Sequence, residues 1–252
     1  MPTPPSTGFA AAEAAAAPIE GWMTPDQARK LWDTASAVKP GGCVVEIGSF
    51  RGRSMIVLGK AVAPGVALFA IDPHAGNDRG PQEFEGFEEH AAEDNVVFRR
   101  NLEEAGVADK VTHLRKFSHD ALGDVIAPID LLYIDGAHRF KPARDDIRRW
   151  SAKIRPGGEL LIHDSFSSIG VTGALIVELF GSKEFRYLGR AQSMTHYRRE
   201  PLGAGERRRN ALRQCAQLPW FARNVLIKAL ILGKLGFVAQ KAFGHDPATW
   251  PH

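Results

Sequence analysis

Short apolar runs alternate with stretches of helical periodicity through most of this chain. Thr24-Pro25-Asp26 offers a capping hydroxyl, a proline for the first helical position and an acid for the first turn. Ala28, Leu31, Trp32 and Ala35 follow at spacings of three and four, which predicts a helix to about Val38. Pro40-Gly41-Gly42 stops that helix and delivers the apolar strand around Val44 to Ile47. A helix over Arg53 to Val62, a strand over Val66 to Ile71 and a helix around Asn95 to Ala105 come next. Strands at Val111 to Leu114 and Ile129 to Ile134 precede a helix from about Pro142 to Ile154. Pro156-Gly157-Gly158 launches a strand over Glu159 to Ile162, then a helix spans about Val171 to Phe180. Phe185 to Gly189 and Met194 to Arg199 read as two closing strands. Apolar strands alternating with helices predict an α/β chain with a doubly wound, mostly parallel sheet.

Three stretches stand outside this alternation. Met1 to about Pro18 is rich in Ala, Pro, Ser and Thr without periodicity, and is expected to be a disordered arm over 1–18. Pro73 to His90 is Gly-rich, then acidic at Glu83, Glu85, Glu88 and Glu89, and reads as a mobile lid near the active edge or as a solvated loop. From Glu206 to Phe243 two helical stretches flank Pro219, the second (Phe221 to Phe243) densely apolar with Arg223, Lys228, Lys234 and Lys241 interspersed. The expected organisation is therefore an arm (1–18), a central domain (19–202) and a basic helical extension (203–252). For the extension, packing on the domain or in a homodimer is the first expectation, and peripheral contact with an anionic membrane the second.

Composition narrows the classes. At 252 residues and 44% hydrophobic content the chain can bury a full core. It lacks the charged start and apolar run of a secretion signal, and no run of eighteen uncharged apolar residues offers a membrane span. Cys43 and Cys215 form no C-x-x-C pair, so a reduced, cytoplasmic chain without disulfides is expected. The net charge of +3 is uneven: Gly203 to His252 holds eight Lys/Arg against two Asp/Glu, which leaves the rest of the chain acidic. Basic character away from the active edge argues against a nucleic-acid partner.

The candidate chemistry begins at Val44-Val45-Glu46-Ile47-Gly48-Ser49-Phe50-Arg51-Gly52-Arg53-Ser54, where a strand passes through two glycines into a helix. The next strand ends in a second acid, Asp72. Alone, such a glycine pair is most often a tight turn and such an Asp a helix cap; together they make a nucleotide-binding βαβ unit. The third glycine of a dinucleotide loop is missing, and Glu46 suits a ligand with a positive end better than a phosphate. Two later strands end in Ile134-Asp135-Gly136-Ala137-His138 and Ile162-His163-Asp164-Ser165. In a doubly wound sheet these ends share one crevice with Glu46 and Asp72, and their carboxylates and imidazoles offer a divalent-cation site.

This ordered series resembles the class I S-adenosylmethionine (SAM)-dependent methyltransferases over roughly residues 20 to 200. The resemblance implies a seven-stranded sheet with one antiparallel strand at its edge. It implies that Gly48 and Gly52, with Ser49 and Ser54 beside them, shape the cofactor turn, that Glu46 lies beneath the cofactor and that Asp72 holds the ribose. Ser118, after the third strand, stands where the family holds the adenine. The strand-four and strand-five ends are similar to those of the metal-dependent O-methyltransferases that act on catechols and sugars. By that likeness Asp135, at the cofactor edge, joins His163 and Asp164 as the metal set. The family usually has an acid where His163 stands, so both its role as a ligand and the choice of magnesium or manganese stay open. His138 is the first candidate base, His163 the second and His74 a more distant third. The function implied is methylation of a small-molecule hydroxyl, a sugar or saccharide before a catechol, as in methylated-polysaccharide synthesis. The rival readings are a nucleotide-dependent oxidoreductase and a non-catalytic cofactor-binding or membrane-docking module.

Overall fold

Alternation along each strand builds both faces of the sheet at once. In the computed structural model, which describes residues 5–75 and 87–246, the strands are β1 (Cys43–Ile47), β2 (Ala67–Ile71), β3 (Val111–Leu114), β4 (Ile129–Ile134), β5 (Ile154–Ile162), β6 (Phe185–Ala191) and β7 (Met194–Arg199). The helices are α1 (Pro5–Ala16), α2 (Pro25–Ser36), α3 (Arg53–Ala61), α4 (Phe87–Glu104), α5 (Phe140–Ser151), α6 (Ile169–Glu178), α7 (Ala204–Cys215), α8 (Leu218–Leu232) and α9 (Gly236–Phe243). Val45, Ile47, Leu132, Ile134, Leu160 and Ile162 face one way and pack with Ile147 and Trp150 of α5 and Leu175 of α6. Val44, Leu68, Ala70, Leu131 and Leu161 face the other way and pack with Leu31 of α2 and Met55 and Leu58 of α3. Strands covered on both sides have no water to face, which is why they read as nearly continuous apolar runs.

The strand order is β3-β2-β1-β4-β5-β7-β6. Pairings from β3 through β5 are parallel, while β7 runs antiparallel to both β5 and β6. The sheet is thus seven-stranded and mostly parallel with an antiparallel edge; β7 sits one place in, with β6 outermost. A two-residue turn, Gln192-Ser193, joins that hairpin, with Gln192 at φ 49°. The order reverses between β1 and β4, so the carboxyl ends of those strands open a crevice there.

The structure departs from the sequence expectations in three places. The arm expected to be disordered is helical over Pro5–Ala16: its alanines have the highest helix propensity, and Ala12 and Ala16 are buried against α3 and α2. Phe9 meets Trp32 edge-on at 6.0 Å, which fixes α1 on the domain. Helix α4 begins at Phe87 rather than near Asn95, because Glu88, Glu89, Ala91 and Ala92 form helix well. The lid expected over Pro73 to His90 otherwise lies largely outside the described residues. The tail helix expected over Phe221 to Phe243 is two helices, broken at Gly233-Lys234-Leu235, where Lys234 adopts φ 60°. Pro219 falls in the first turn of α8, where its missing N–H costs no helical bond.

Candidate active site

Gly48 leaves β1 at φ 86°, and a Cβ there would sit 2.7 Å from Gly136 Cα and overlap the Asp135 carbonyl. Only glycine lets the β1 turn approach the end of β4 this closely, and the Asp135 N–H bonds the Ile47 carbonyl at 2.8 Å. Gly52, at φ 90°, then caps α3 without a side chain. Glu46 is fully buried under this turn, and among the described residues neither carboxylate oxygen has a hydrogen-bond partner within bonding distance, nor does the Ser49 hydroxyl. Burial pushes the Glu46 carboxyl up to about 8, with the nearby Ser54 and Ser49 hydroxyls pulling the other way. A buried unpartnered carboxyl beside a glycine turn fits a ligand that brings hydrogen-bond donors or positive charge.

Asp72 does something the sequence reading did not foresee. Its Oδ2 accepts from the Ser49 and Phe50 N–H groups at 2.9 and 2.8 Å, and its Oδ1 from the His74 N–H at 2.8 Å. Of the roughly four lone-pair positions of the carboxylate, two therefore hold the glycine turn and a third holds the segment after β2. His74, the distant candidate base, is buried, contacts the Phe50 carbonyl through Nε2 at 2.8 Å and packs against Phe98 and His113. It belongs to the turn's support. Ser118 bonds Asp146 of α5, whose carboxyl burial pushes up to about 6. Asp146 sits on the apolar stripe with Ala143, Ile147 and Trp150, and an acid in such a stripe is the signal by which the sequence could have disclosed it.

The ends of β4 and β5 bring Asp135, His163 and Asp164 together, with one potential ligand atom from each lying within 4.8 Å of the others. His163 Nδ1 stands 3.0 Å from Asp135 Oδ1 and 3.2 Å from Asp164 Oδ2. Burial alone would lower the His163 pKa, but the two carboxylates hold it well above the usual imidazole range. Asp164 is held well below the usual carboxylate range: burial opposes this, and His163 and His138 outweigh it. His138 Nε2 pairs directly with Asp164 Oδ2, and Ser168 Oγ donates to the His138 carbonyl at 3.2 Å. Asp164 takes φ 53° and Phe166 φ 57°, a backbone that non-glycine residues adopt only when their surroundings hold them.

Four residues that sequence reasoning missed support this cluster and the loop that carries it. Gln27 of α2 is fully buried; its Nε2 donates to Ser193 Oγ at 3.0 Å, so its Oε1 faces His163 Nε2 at 3.3 Å. The signal was Thr24-x-x-Gln27, a capping box, which the Gln27 side chain completes by accepting from the Thr24 N–H. Tyr133 of β4 donates its hydroxyl to Asp135 Oδ2 at 2.9 Å. From the tail, Asn224 donates to the Phe166 carbonyl at 3.3 Å, and Lys228 Nζ donates to the carbonyl and hydroxyl of Ser167 at 2.9 and 3.0 Å. The extension thus braces the loop that carries Asp164.

Residues 45–165 match the family described as a methyltransferase domain. The uncharacterized protein y4gI of Sinorhizobium fredii is 28% identical over 127 residues, covering 48% of this chain and 13% of that protein. The uncharacterized protein R132 of Acanthamoeba polyphaga mimivirus is 27% identical over 127 residues, covering 48% of this chain and 50% of that protein. The chain therefore spans half or less of the length of these curated relatives. Among solved structures, the O-methyltransferase TomG from Streptomyces achromogenes, involved in tomaymycin synthesis and in complex with SAM, shares the fold. Its TM-score is 0.56 at 18% identity, over 77% of this chain and 90% of that one.

Proposed function

We propose that the protein moves the methyl group of SAM to a hydroxyl of a small molecule, a reading supported by the match of residues 45–165 to a methyltransferase domain. The acceptor in this reading is a sugar or saccharide, which rests on the resemblance of the strand-end motifs. One observation carries the reading. The glycine turn over buried Glu46 and the Asp135, His163, Asp164 and His138 cluster lie at the same ends of the adjoining strands β1, β4 and β5. The domain match displaces the oxidoreductase alternative.

SAM, when bound, would supply an electrophilic sulfonium methyl, and Glu46, buried beside the glycine turn, is the residue that would meet its positive end. Asp135, His163 and Asp164 are the residues that would hold a divalent cation; two carboxylates and an imidazole suit magnesium or manganese. A cation there would lower the pKa of a coordinated hydroxyl, as it does for water. Gln27, at His163 Nε2, leaves Nδ1 aimed at both carboxylates. His138 is the base that takes the acceptor's proton, with its ring oriented by Asp164. His163 is less suited, since two carboxylates already favour its protonated form.

The test is calorimetric titration of the full chain with S-adenosylhomocysteine, alone and with magnesium, manganese or EDTA. Micromolar binding, with a cation heat that Asp164→Ala removes, is the expected result. No binding of the cofactor product under any condition overturns the reading.

A further inference from the structure

We propose that the α8–α9 hairpin is a docking surface for an anionic lipid membrane. Helix α8 is built the wrong way round for a solvent-facing element. Its inward face carries the polar groups, Asn224 and Lys228, which reach the loop after β5, together with buried Ile227. Its outward face carries Ala222, Leu226, Ala229 and Gly233, which fall within about 60° at the helical period. No charged residue interrupts that stripe. Leu226, Leu232, Leu235 and Phe237, all within one short stretch of the chain, are 49%, 70%, 44% and 66% exposed.

Charge selects the partner. From Arg207 to His245 the chain contains no Asp or Glu and eight Lys or Arg. Lys234 and Lys241 are exposed beside the apolar residues, where their long stems can lie along a lipid surface with the ammonium groups among headgroups. A two-fold dimer through this face would set the same basic residues against each other with no carboxylate to pair them. An anionic bilayer surface accepts both the apolar stripe and the positive rim. Among the described residues no helix is long and apolar enough to cross a membrane, and an interfacial pose needs none that is.

The experiment is co-sedimentation of the full chain with phosphatidylcholine vesicles and with vesicles containing phosphatidylglycerol, at low and high salt, beside sedimentation equilibrium without lipid. The expected result is binding to the anionic vesicles that weakens with salt. Lys234→Gln with Lys241→Gln should cost roughly 25-fold in vesicle affinity, at about fivefold per basic residue. Leu232→Glu with Phe237→Glu should abolish binding; both positions are exposed, and unchanged circular dichroism would verify the fold. No binding to anionic vesicles overturns the proposal, as does binding that survives both double variants. A dimer that Leu232→Glu with Phe237→Glu dissociates, without vesicle binding, would give the face to a second copy instead. None of these outcomes depends on methyl transfer.

Discussion

At the glycine turn Glu46 is buried with no hydrogen-bond partner among the described residues, whereas at the ends of β4 and β5 each buried charge meets an opposite one. Both regions lie along the same edge of the sheet, yet they balance polarity in opposite ways. In the first, backbone N–H groups converge on Asp72 and fix a loop, and the nearby carboxyl is kept neutral by burial. In the second, His163 and His138 hold the Asp164 carboxyl well below the usual carboxylate range although burial alone would raise it. The difference separates shape from charge: the turn is held by backbone N–H groups donating to one side chain, while the strand-end cluster is a charge network in which neighbouring groups set the state of His163 and Asp164.

Breaking the charge network should have the largest effect. Asp135→Ala is expected to lower turnover by about a thousandfold or more, measured as single-turnover methyl transfer. The affinity for S-adenosylhomocysteine should change little in the same variant; loss of that affinity would merge the two regions into one site. Next comes the turn. Gly48→Ala forces a side chain into φ 86° and into the Asp135 carbonyl, and should destabilise the fold by about 3 kcal/mol in chemical denaturation.

A further effect sharpens the contrast through pH. The Glu46 carboxyl is raised from 4.5 to about 8, so the unfolded chain releases its proton first. The stability gained by keeping it neutral is full below pH 4.5 and is lost as pH climbs toward 8. Glu46→Gln should flatten that slope and leave the variant more stable than the parent at high pH by up to about 5 kcal/mol, while weakening cofactor binding. The smallest change is expected at the brace: Lys228→Met removes two hydrogen bonds to Ser167 and should cost about 1 kcal/mol of stability. A fewfold fall in kcat with KM unchanged would show that the tail acts through the Asp164 loop.

Much of this was legible in the chain because it is local. Glycines at 48 and 52, an acid closing β2 and Asp/His pairs after β4 and β5 are short-range patterns, and the parallel sheet follows from apolar runs that need cover on both faces. The helix at Pro5–Ala16 was misread because alanine carries little amphipathic signal until a partner such as Trp32 supplies a surface to bury against. The rest was decided by contacts between distant residues. Gln27 meets His163 across 136 positions and Lys228 meets Ser167 across 61, and no periodicity encodes such pairs. The sequence by itself determined which residues reach the crevice; only the tertiary structure decided their charge states and what holds them. Those depend on burial and on the field of neighbouring groups, which exist only once the chain is packed.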